Sequence, residues 1–158
     1  MPIEIERKFL VVDEGWRELY TKSVRLRDGL IATSNDCKVR VRTYEGRATV
    51  TIKTKRAGSK RSEFEYEIPV EDAEELISFH CGENVLAKTR YYVPHQGFTW
   101  EVDVYEGILS GMILAEIELE SADIKVPTPH WIGREVTDDP EYKKLNMHKA
   151  GLGKRRLP

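Results

Sequence analysis

Polar and apolar residues alternate along most of the chain, and a period of two is typical of β-strands with one polar face. In the first run, residues 3–9, Glu4, Glu6 and Lys8 share one face because successive side chains of a strand point to opposite sides. Further runs with this period lie at residues 23–33, 38–42, 49–55, 61–68, 85–94, 98–105 and 113–120. Because turn-forming residues such as Asn35-Asp36 and Glu45-Gly46 separate neighbouring runs, we predict an antiparallel sheet of eight strands.

Three segments break the alternation and predict short helices. Residues 13–20 begin with acidic side chains and carry their apolar residues on one side. After Pro69, apolar residues recur at helical spacing over residues 70–79. Asp139-Pro140 combines an acidic cap with a proline at the first helical position, which favours a helix start. The predicted architecture is therefore mainly β, with a few short flanking helices.

The composition is that of a globular protein with much charge. A chain of 158 residues fits one domain, residues 1–158, and we predict that residues 151–158 are a solvated tail. Charged residues form 33% of the chain, against the usual ~25%. The 25 Lys and Arg nearly balance the 27 Asp and Glu, so we expect no general nucleic-acid or membrane surface. Near-neutrality is still compatible with a cavity in which both signs of charge are concentrated.

Two further features concern the compartment. No apolar run reaches the roughly 20 residues of a membrane helix, and the N-terminus lacks the apolar stretch of a secretory signal. Cys37 and Cys81 form no CxxC motif and have no histidine at zinc spacing. These features predict a reduced, cytoplasmic protein.

The polar positions of the predicted strands are sorted by the sign of their charge. An ordinary solvated sheet explains the first strand alone, but a solvated face would mix in Ser, Thr, Gln and Asn and use mostly Lys among its bases. Like charges side by side on a strand repel and need compensation from elsewhere. The positions are Glu4, Glu6, Lys8, Arg25, Arg27, Lys38, Arg40, Arg42, Lys53, Lys55, Arg61, Glu63, Glu65, Glu67, Lys88, Arg90, Glu101, Asp103, Glu116, Glu118 and Glu120.

This sorting makes sense if the sheet closes and the charges point inward. Closing eight strands removes the exposed edges, and interior charges must then be paired, hydrated or bound to an ion. A highly charged anion together with a divalent metal would satisfy both signs. Phosphate chains fit this description because Arg and Lys hold phosphoryl oxygens while carboxylates hold Mg²⁺ or Mn²⁺.

Seven charged motifs follow one another along the chain: Glu4-x-Glu6-x-Lys8, Arg40-x-Arg42, Lys53-x-Lys55, Glu63-x-Glu65, Lys88-x-Arg90, Asp103 and Glu116-x-Glu118. In this order they resemble the CYTH superfamily of triphosphate tunnel metalloenzymes, and bacterial inorganic triphosphatases in particular. The similarity runs from about residue 2 to residue 120, and residues 131–142 look like the tail segment of the bacterial members. One such dipeptide repeat would be a weak signal, whereas seven in order are a strong one.

The resemblance implies a closed eight-stranded antiparallel β-barrel that forms a charged tunnel and acts on triphosphates with Mg²⁺ or Mn²⁺. Carried over residue by residue, it implies metal binding by the carboxylates of Glu4, Glu6, Glu116 and Glu118. The phosphate-binding residues that it implies are Lys8, Arg40, Arg42, Lys53, Lys55 and Arg90. Glu63, Glu65 and Asp103 match acidic tunnel positions and are candidates for metal or tunnel acids.

The resemblance also implies a catalytic role for Lys88, which matches the position proposed to deprotonate or orient the water that attacks the terminal phosphorus. The chain departs from the bacterial pattern directly after Arg27. Relatives often read Gln-Gly-Tyr-Leu there, whereas Asp28-Gly29-Leu30-Ile31 stands in this chain. A role of that tyrosine at the tunnel mouth therefore does not transfer to Leu30.

We expect hydrolysis of inorganic tripolyphosphate to pyrophosphate and phosphate, with nucleoside triphosphates as poorer substrates. The reason is that the chain is short and lacks an appended domain or a base-stacking aromatic cluster. The alternatives are an adenylate cyclase, a thiamine triphosphatase in which Trp100 and Trp131 stack on the ligand, and a non-catalytic polyphosphate- or nucleotide-binding module. The expected partner is a small-molecule triphosphate, without nucleic acid or membrane, and the oligomeric state stays open, a homodimer included.

Overall fold

Strands make up most of the computed structural model, which describes residues 2–143, 146–147 and 149–151. Within these residues the α-helix α1 (Val70–His80) accompanies short 3₁₀ helices at Gly15–Glu18, Gly107–Leu109 and Pro140–Tyr142, and residues 146–147 and 149–151 are also α-helical. The strands are β1 (Ile3–Val11), β2 (Lys22–Ser34), β3 (Cys37–Tyr44), β4 (Arg47–Lys53), β5 (Lys60–Ile68), β6 (Val85–His95), β7 (Phe98–Tyr105), β8 (Ile113–Glu118) and β9 (Ile132–Glu135). The eight predicted strands are confirmed, and β9 is an addition that the sequence did not predict.

Eight of the strands close into an antiparallel barrel. Hydrogen bonds join them in the order β1-β5-β4-β3-β2-β6-β7-β8 and then back to β1. The first strand closes the ring because residues 3–5 pair with β5 and residues 6–10 pair with β8. Beyond the ring, β9 pairs with β1 at Phe9 and Val11. The closed barrel expected from the charge sorting is therefore confirmed.

The largest hydrophobic cluster lies outside the barrel wall. On β1, Ile5 and Phe9 point away from Glu4, Glu6 and Lys8, and they pack against three fully buried tryptophans, Trp16, Trp100 and Trp131. On the opposite side, α1 packs Ala73 and Ile77 against the outer faces of β3 and β4. The barrel is therefore supported from outside, which leaves its interior to polar side chains.

A third apolar cluster lies beside the interior. It joins Leu86, Tyr105 and Leu114 of β6, β7 and β8 to Leu109 and Met147. Since Leu86 also lines the central cavity, this cluster forms the support of one cavity wall. In the described part of the chain, no helix is long and apolar enough to cross a membrane.

The prediction that Arg25 and Arg27 share the inward face was wrong. On β2 the inward face carries Val24, Leu26 and Asp28, because Val24 and Leu26 pair in register with Arg90 and Lys88, and Asp28 lines the cavity. The two arginines point outward instead, and they form ion pairs of 2.9 Å with Glu106 and Glu74. An alternating pattern separates two faces of a strand without saying which face is inside.

Three other predicted inward charges lie at or beyond strand ends. The fourth strand ends at Lys53, so Lys55 follows it in an exposed segment. The eighth strand ends at Glu118, which leaves Glu120 exposed beyond it. Glu67 is exposed near the end of β5, where it forms an ion pair with Arg47 and does not line the cavity. Of the predicted solvated tail, residues 151–158, the structure describes only Gly151, which is buried, so the prediction was wrong at that residue; residues 152–158 lie outside the described residues.

Candidate active site

The barrel encloses a cavity of about 820 Å³ whose lining is mostly charged. Among the described residues the lining holds ten Lys or Arg, eight Asp or Glu, and no aromatic side chain. The cations are Lys8, Lys38, Arg40, Arg42, Lys53, Lys55, Arg56, Arg61, Arg90 and Lys143, and the anions are Glu4, Glu6, Asp28, Asp36, Glu63, Glu65, Glu116 and Glu118. The structure thus brings together every residue predicted for the site except Lys88 and Asp103, which do not line the cavity.

Glu4, Glu6 and Glu118, here called the carboxylate cluster, approach one another on the cavity wall. Glu6 and Glu118 face each other in register across β1 and β8, and one oxygen from each of the three residues lies within 4.8 Å of the other two. Burial raises the pKa of Glu6, and the nearby carboxylates of Glu116 and Glu4 raise it further. Burial also raises the pKa of Glu118, as do Glu4 and Glu6. The cluster therefore concentrates negative charge that a cation would stabilise.

The donor set of the carboxylate cluster suits a hard divalent cation. Mg²⁺ and Mn²⁺ prefer carboxylate oxygens, and two oxygens on opposite sides of one Mg²⁺ lie about 4.2 Å apart. The oxygens of the three residues lie within 4.8 Å of one another, so small side-chain rotations would bring all three residues onto one ion. Glu116, also predicted as a metal ligand, instead contacts Lys8 at 3.9 Å and Arg90 at 3.6 Å.

Cations surround the carboxylate cluster on the side of β4 and β5. Lys53 Nζ lies 3.4 Å from Glu4 and 3.7 Å from Glu63, while Arg61 contacts both Glu4 and Glu6 at 3.3 Å. Arg56 reaches the carboxylate of Glu6 at 2.6 Å. The sequence did not predict Arg56 as a site residue, because it lies between β4 and β5, where no alternating pattern continues.

Three cations of the lining have no carboxylate within ion-pair distance in the described part of the chain. They are Lys38, Arg40 and Lys143, and the buried Nε of Arg40 has no hydrogen-bond partner among those residues. Burial lowers the pKa of Arg40, and the charge of Arg42 lowers it further. Burial likewise lowers the pKa of Lys38, with additional repulsion from Arg61, Lys143 and Lys8. This part of the cavity carries positive charge that an anion would compensate.

Arg42 is held in place by Asp28, a residue that the sequence marked only as a departure from the family pattern. The guanidinium donates two hydrogen bonds to the carboxylate, at 2.6 and 2.9 Å, and both side chains are nearly buried. The sequence did not predict this pair, because Asp28 shares a face of β2 with Val24 and Leu26, and the alternation predicted that this face points outward. Because Arg42 uses only Nε and Nη2 in this pair, its Nη1 stays available for a ligand.

Lys88 and Asp103 lie behind the cavity wall and contact Arg90, which lines the cavity; the three residues are here called the buried ion group. Lys88 Nζ donates to Asp103 Oδ2 at 2.7 Å, and Arg90 donates two hydrogen bonds to the same carboxylate at 2.8 and 2.9 Å. Burial would raise the pKa of Asp103, but the charges of Lys88 and Arg90 lower it to about 2. Lys88 is only 1% exposed and does not line the cavity.

Glu101 lies between the buried ion group and the carboxylate cluster. Its Oε2 is 3.0 Å from Arg90 Nη1. Burial nevertheless raises the pKa of Glu101 to about 7, and Glu116 and Glu118 contribute to the rise. Arg90 opposes this shift only in part because it also neutralises Asp103.

Comparison with known protein families places these features in context. The CYTH domain family matches residues 2–149. The chain belongs to the CYTH domain family. A curated inorganic triphosphatase from Acetivibrio thermocellus is 42% identical over 146 residues, which cover 92% of this chain and 93% of that protein. One from Nitrosomonas europaea is 39% identical over 146 residues, covering 89% and 93%.

Solved structures share the barrel of this CYTH domain. The crystal structure of the inorganic triphosphatase NE1496 superposes with a TM-score of 0.67 at 34% identity, covering 94% of this chain and 95% of that one. The PH1012 protein from Pyrococcus horikoshii has a TM-score of 0.60 at 22% identity, covering 76% and 80%, which is a similarity of fold alone.

Proposed function

We propose that this CYTH protein is a divalent-metal-dependent inorganic triphosphatase that hydrolyses tripolyphosphate to pyrophosphate and phosphate. The main support is one cavity that combines the carboxylate cluster with the uncompensated cations Lys38 and Arg40. Two relatives that are named inorganic triphosphatase and cover most of the chain support the same activity. The described lining has no aromatic side chain, so it offers no stacking surface for a nucleobase.

The positive part of the cavity is proposed to hold the phosphate chain. Lys38 and Arg40 would donate to phosphoryl oxygens and so gain the counter-charge that they lack. Arg42, oriented by Asp28, would offer its remaining donors, and Lys8 and Lys53 would contribute from the side of the carboxylate cluster. Lys55 lies at the exposed edge of the lining, and we propose that it attracts substrate there.

The carboxylate cluster is proposed to hold Mg²⁺ or Mn²⁺ through Glu4, Glu6 and Glu118. When bound, such an ion supplies charge neutralisation and Lewis-acid polarisation of the phosphoryl group. The cations of the lining orient the chain so that water attacks a terminal phosphorus in line with the leaving oxygen. A new P–O bond forms as the bridging P–O–P bond breaks, and pyrophosphate leaves.

For Lys88 we propose a positioning role rather than direct contact with the reacting atoms. Its ammonium holds Asp103, and Asp103 in turn orients the guanidinium of Arg90, which does line the cavity. Replacing Lys88 with Met should lower kcat far more than it raises KM, because Arg90 would keep its charge but lose its fixed orientation. Steady-state kinetics on variants with unchanged circular dichroism would check this, and a change in KM alone would contradict it.

The alternative activities fit the cavity less well. Trp100 and Trp131 lie in the outer hydrophobic cluster with no exposed surface, so they are not placed to stack on a thiamine moiety. A pure binding module has no need of three carboxylates placed for a metal beside the phosphate-binding cations. A cytoplasmic location, the absence of nucleic-acid and membrane partners, and the oligomeric state stay predictions.

A substrate panel tests the proposed function. The purified protein would be incubated with tripolyphosphate, ATP and thiamine triphosphate, each with Mg²⁺, Mn²⁺ or EDTA, and all products identified. We expect phosphate and pyrophosphate from tripolyphosphate, fastest of the three substrates, and no reaction in EDTA. Cyclic AMP and pyrophosphate without orthophosphate would identify a cyclase. Metal-dependent binding without phosphate release would identify a binding module.

A further inference from the structure

Arg56 forms an ion pair with Glu6, one of the three carboxylates of the proposed metal site. Its Nη2 donates to Glu6 Oε1 at 2.6 Å, and its Nη1 lies 3.4 Å from the Glu6 carbonyl oxygen and 3.3 Å from that of Ser59. The Glu6 carboxylate belongs to the cluster whose three oxygens lie within 4.8 Å of one another. A divalent cation bound there would be placed next to the positive charge of Arg56, which is only 17% exposed. The two cations therefore compete for Glu6.

Arg61 contacts the same cluster but is fixed by its position in the sheet. It lies on β5 in register with Glu4, and it contacts Glu4 and Glu6 at 3.3 Å each. Arg56 instead lies in the segment between β4 and β5, just before a tight turn in which Ala57 pairs with Lys60 and Gly58 has a φ of +62°. When its side chain rotates away from Glu6, it gives up two further contacts in the described part of the chain, to the carbonyl oxygens of Glu6 and Ser59.

The cavity offers Arg56 one other kind of partner. In the described part of the chain Glu6 is its only carboxylate within 4 Å, so a metal at Glu6 would leave its guanidinium without a counter-charge. Arg56 also lines the cavity that we propose for the phosphate chain. A guanidinium at the edge of that cavity matches the geometry of phosphoryl oxygens, which it binds through two parallel hydrogen bonds.

We propose that Arg56 is an exchangeable counter-ion, an inference that rests on the proposed function. It holds Glu6 while the site is free of metal, and it binds the phosphate chain once a divalent cation has taken over Glu6. Metal and phosphate binding then favour each other, because the metal releases a cation that the phosphate needs. Arg56 is therefore a binding residue whose partner changes from Glu6 to the phosphate chain when metal and substrate bind.

Calorimetric titration of Arg56→Ala with Mn²⁺ and with pyrophosphate tests the exchange without relying on turnover. Mn²⁺ alone should bind about tenfold more tightly to this variant than to the wild type, since the 2.6 Å charge-assisted hydrogen bond from Arg56 no longer has to be broken at Glu6. Pyrophosphate in the presence of saturating Mn²⁺ should bind about tenfold more weakly, since one donor is missing. Arg56→Lys, which keeps the charge, should shift both affinities less.

The opposite signs of the two effects separate exchange from a structural role. Lys60→Ala, which removes an exposed charge from the same turn, should leave both affinities unchanged. Weaker or equal Mn²⁺ binding in Arg56→Ala, with the metal site intact, would overturn the exchange. If Glu6→Gln binds Mn²⁺ as tightly as the wild type, the proposed metal site itself fails, and the inference fails with it.

Discussion

The buried ion group and the carboxylate cluster lie in the same barrel, but they treat charge in opposite ways. In the buried ion group, Asp103 receives hydrogen bonds of 2.7 to 2.9 Å from both cations, and its pKa falls to about 2. In the carboxylate cluster, acids crowd together, and the pKa values of Glu6 and Glu118 rise. Asp103 is neutralised by two cations of its own group, whereas Glu4 and Glu6 share the cations Lys53, Arg56 and Arg61, and Glu118 has no ion pair in the described part of the chain.

This contrast separates charged groups that stabilise the structure of the site from charged groups that are proposed to bind ligands. Buried ions are stable only when their partners and hydrogen bonds are all present, as they are around Asp103. Lys38 and Arg40 mirror the carboxylate cluster, since burial and neighbouring cations lower their pKa values. The crowded carboxylates and these two cations therefore mark where metal and phosphate are proposed to bind.

The largest effect is expected when the carboxylate cluster loses a member. Glu118→Gln should slow triphosphate hydrolysis on the order of 10⁴-fold, about 5 kcal/mol in activation free energy, because a metal ligand is lost. The free energy of unfolding should stay equal or rise, because the environment of Glu118 disfavours its charged form. Phosphate-release assays and urea unfolding check both quantities.

Glu67→Gln is the matched control, since Glu67 is exposed and pairs with Arg47 outside the cavity. It should change neither rate nor stability. A Glu118→Gln variant that keeps full activity would show that the carboxylate cluster is not needed for triphosphate hydrolysis.

The buried ion group should respond in the opposite manner. Asp103→Asn should lower the free energy of unfolding by about 4 kcal/mol, because Lys88 and Arg90 would keep buried charges without their counter-ion. Urea unfolding beside Glu118→Gln measures the difference. Equal stability of these two variants would show that the contrast between the groups has no energetic basis.

Because its pKa is raised, Glu101 should make the free energy of unfolding fall as the pH rises. An acid with a lowered pKa, such as Asp103, has the opposite effect. The pKa of Glu101 is about 7 in the folded protein and 4.5 in the unfolded chain, so the folded state holds a proton that the unfolded state has lost. Stability should therefore fall as the pH rises from about 4.5 to 7, on the order of 3 kcal/mol from this group. Glu101→Gln should remove that decline.

Urea unfolding in EDTA between pH 5 and pH 8.5 would measure this decline. Glu120→Gln, at an exposed position beyond β8, is the control and should follow the wild type. A wild-type protein that gains stability over this range through Glu101 would contradict the prediction.

The smallest effect is expected at an uncompensated cation. Arg40→Gln should raise the free energy of unfolding by about 1 kcal/mol, because it removes a buried charge that Arg42 repels. It should also raise the KM for tripolyphosphate, since a phosphate donor is lost. A variant that is both less stable and unchanged in KM would show that Arg40 stabilises the fold and does not bind the phosphate chain.

The sequence predicted most of the fold because strand periodicity and charge sorting both act locally. Alternation identified the eight barrel strands, and the separation of acids from bases pointed to a closed, charged interior. The prediction that Arg25 and Arg27 face inward was wrong, because the apolar Val24 and Leu26 of β2 face inward beside Arg90 and Lys88. The direction of a face depends on cross-strand register, which no single run of residues contains.

The candidate site was predictable wherever a motif lies on a strand. Arg56 was missed because it reaches Glu6 from a loop, where position follows from the turn and not from a period. Asp28 was missed as a partner because its role appears only when β2 pairs with β3 and brings it beside Arg42. The burial of Lys88 likewise results from pairing with Leu26 and Tyr105 on both sides.

The outer placement of the hydrophobic clusters has a consequence for how this protein can change. Packing against Trp16, Trp100 and Trp131 on one side and against α1 on the other holds the wall from outside. Interior side chains can therefore be exchanged without emptying the core, as long as the buried ion group stays complete. Leu30, at the cavity lining, is a natural place to introduce an aromatic ring and to redirect the barrel toward a larger organic triphosphate. Such a scaffold lets substrate preference diverge while the fold stays constant.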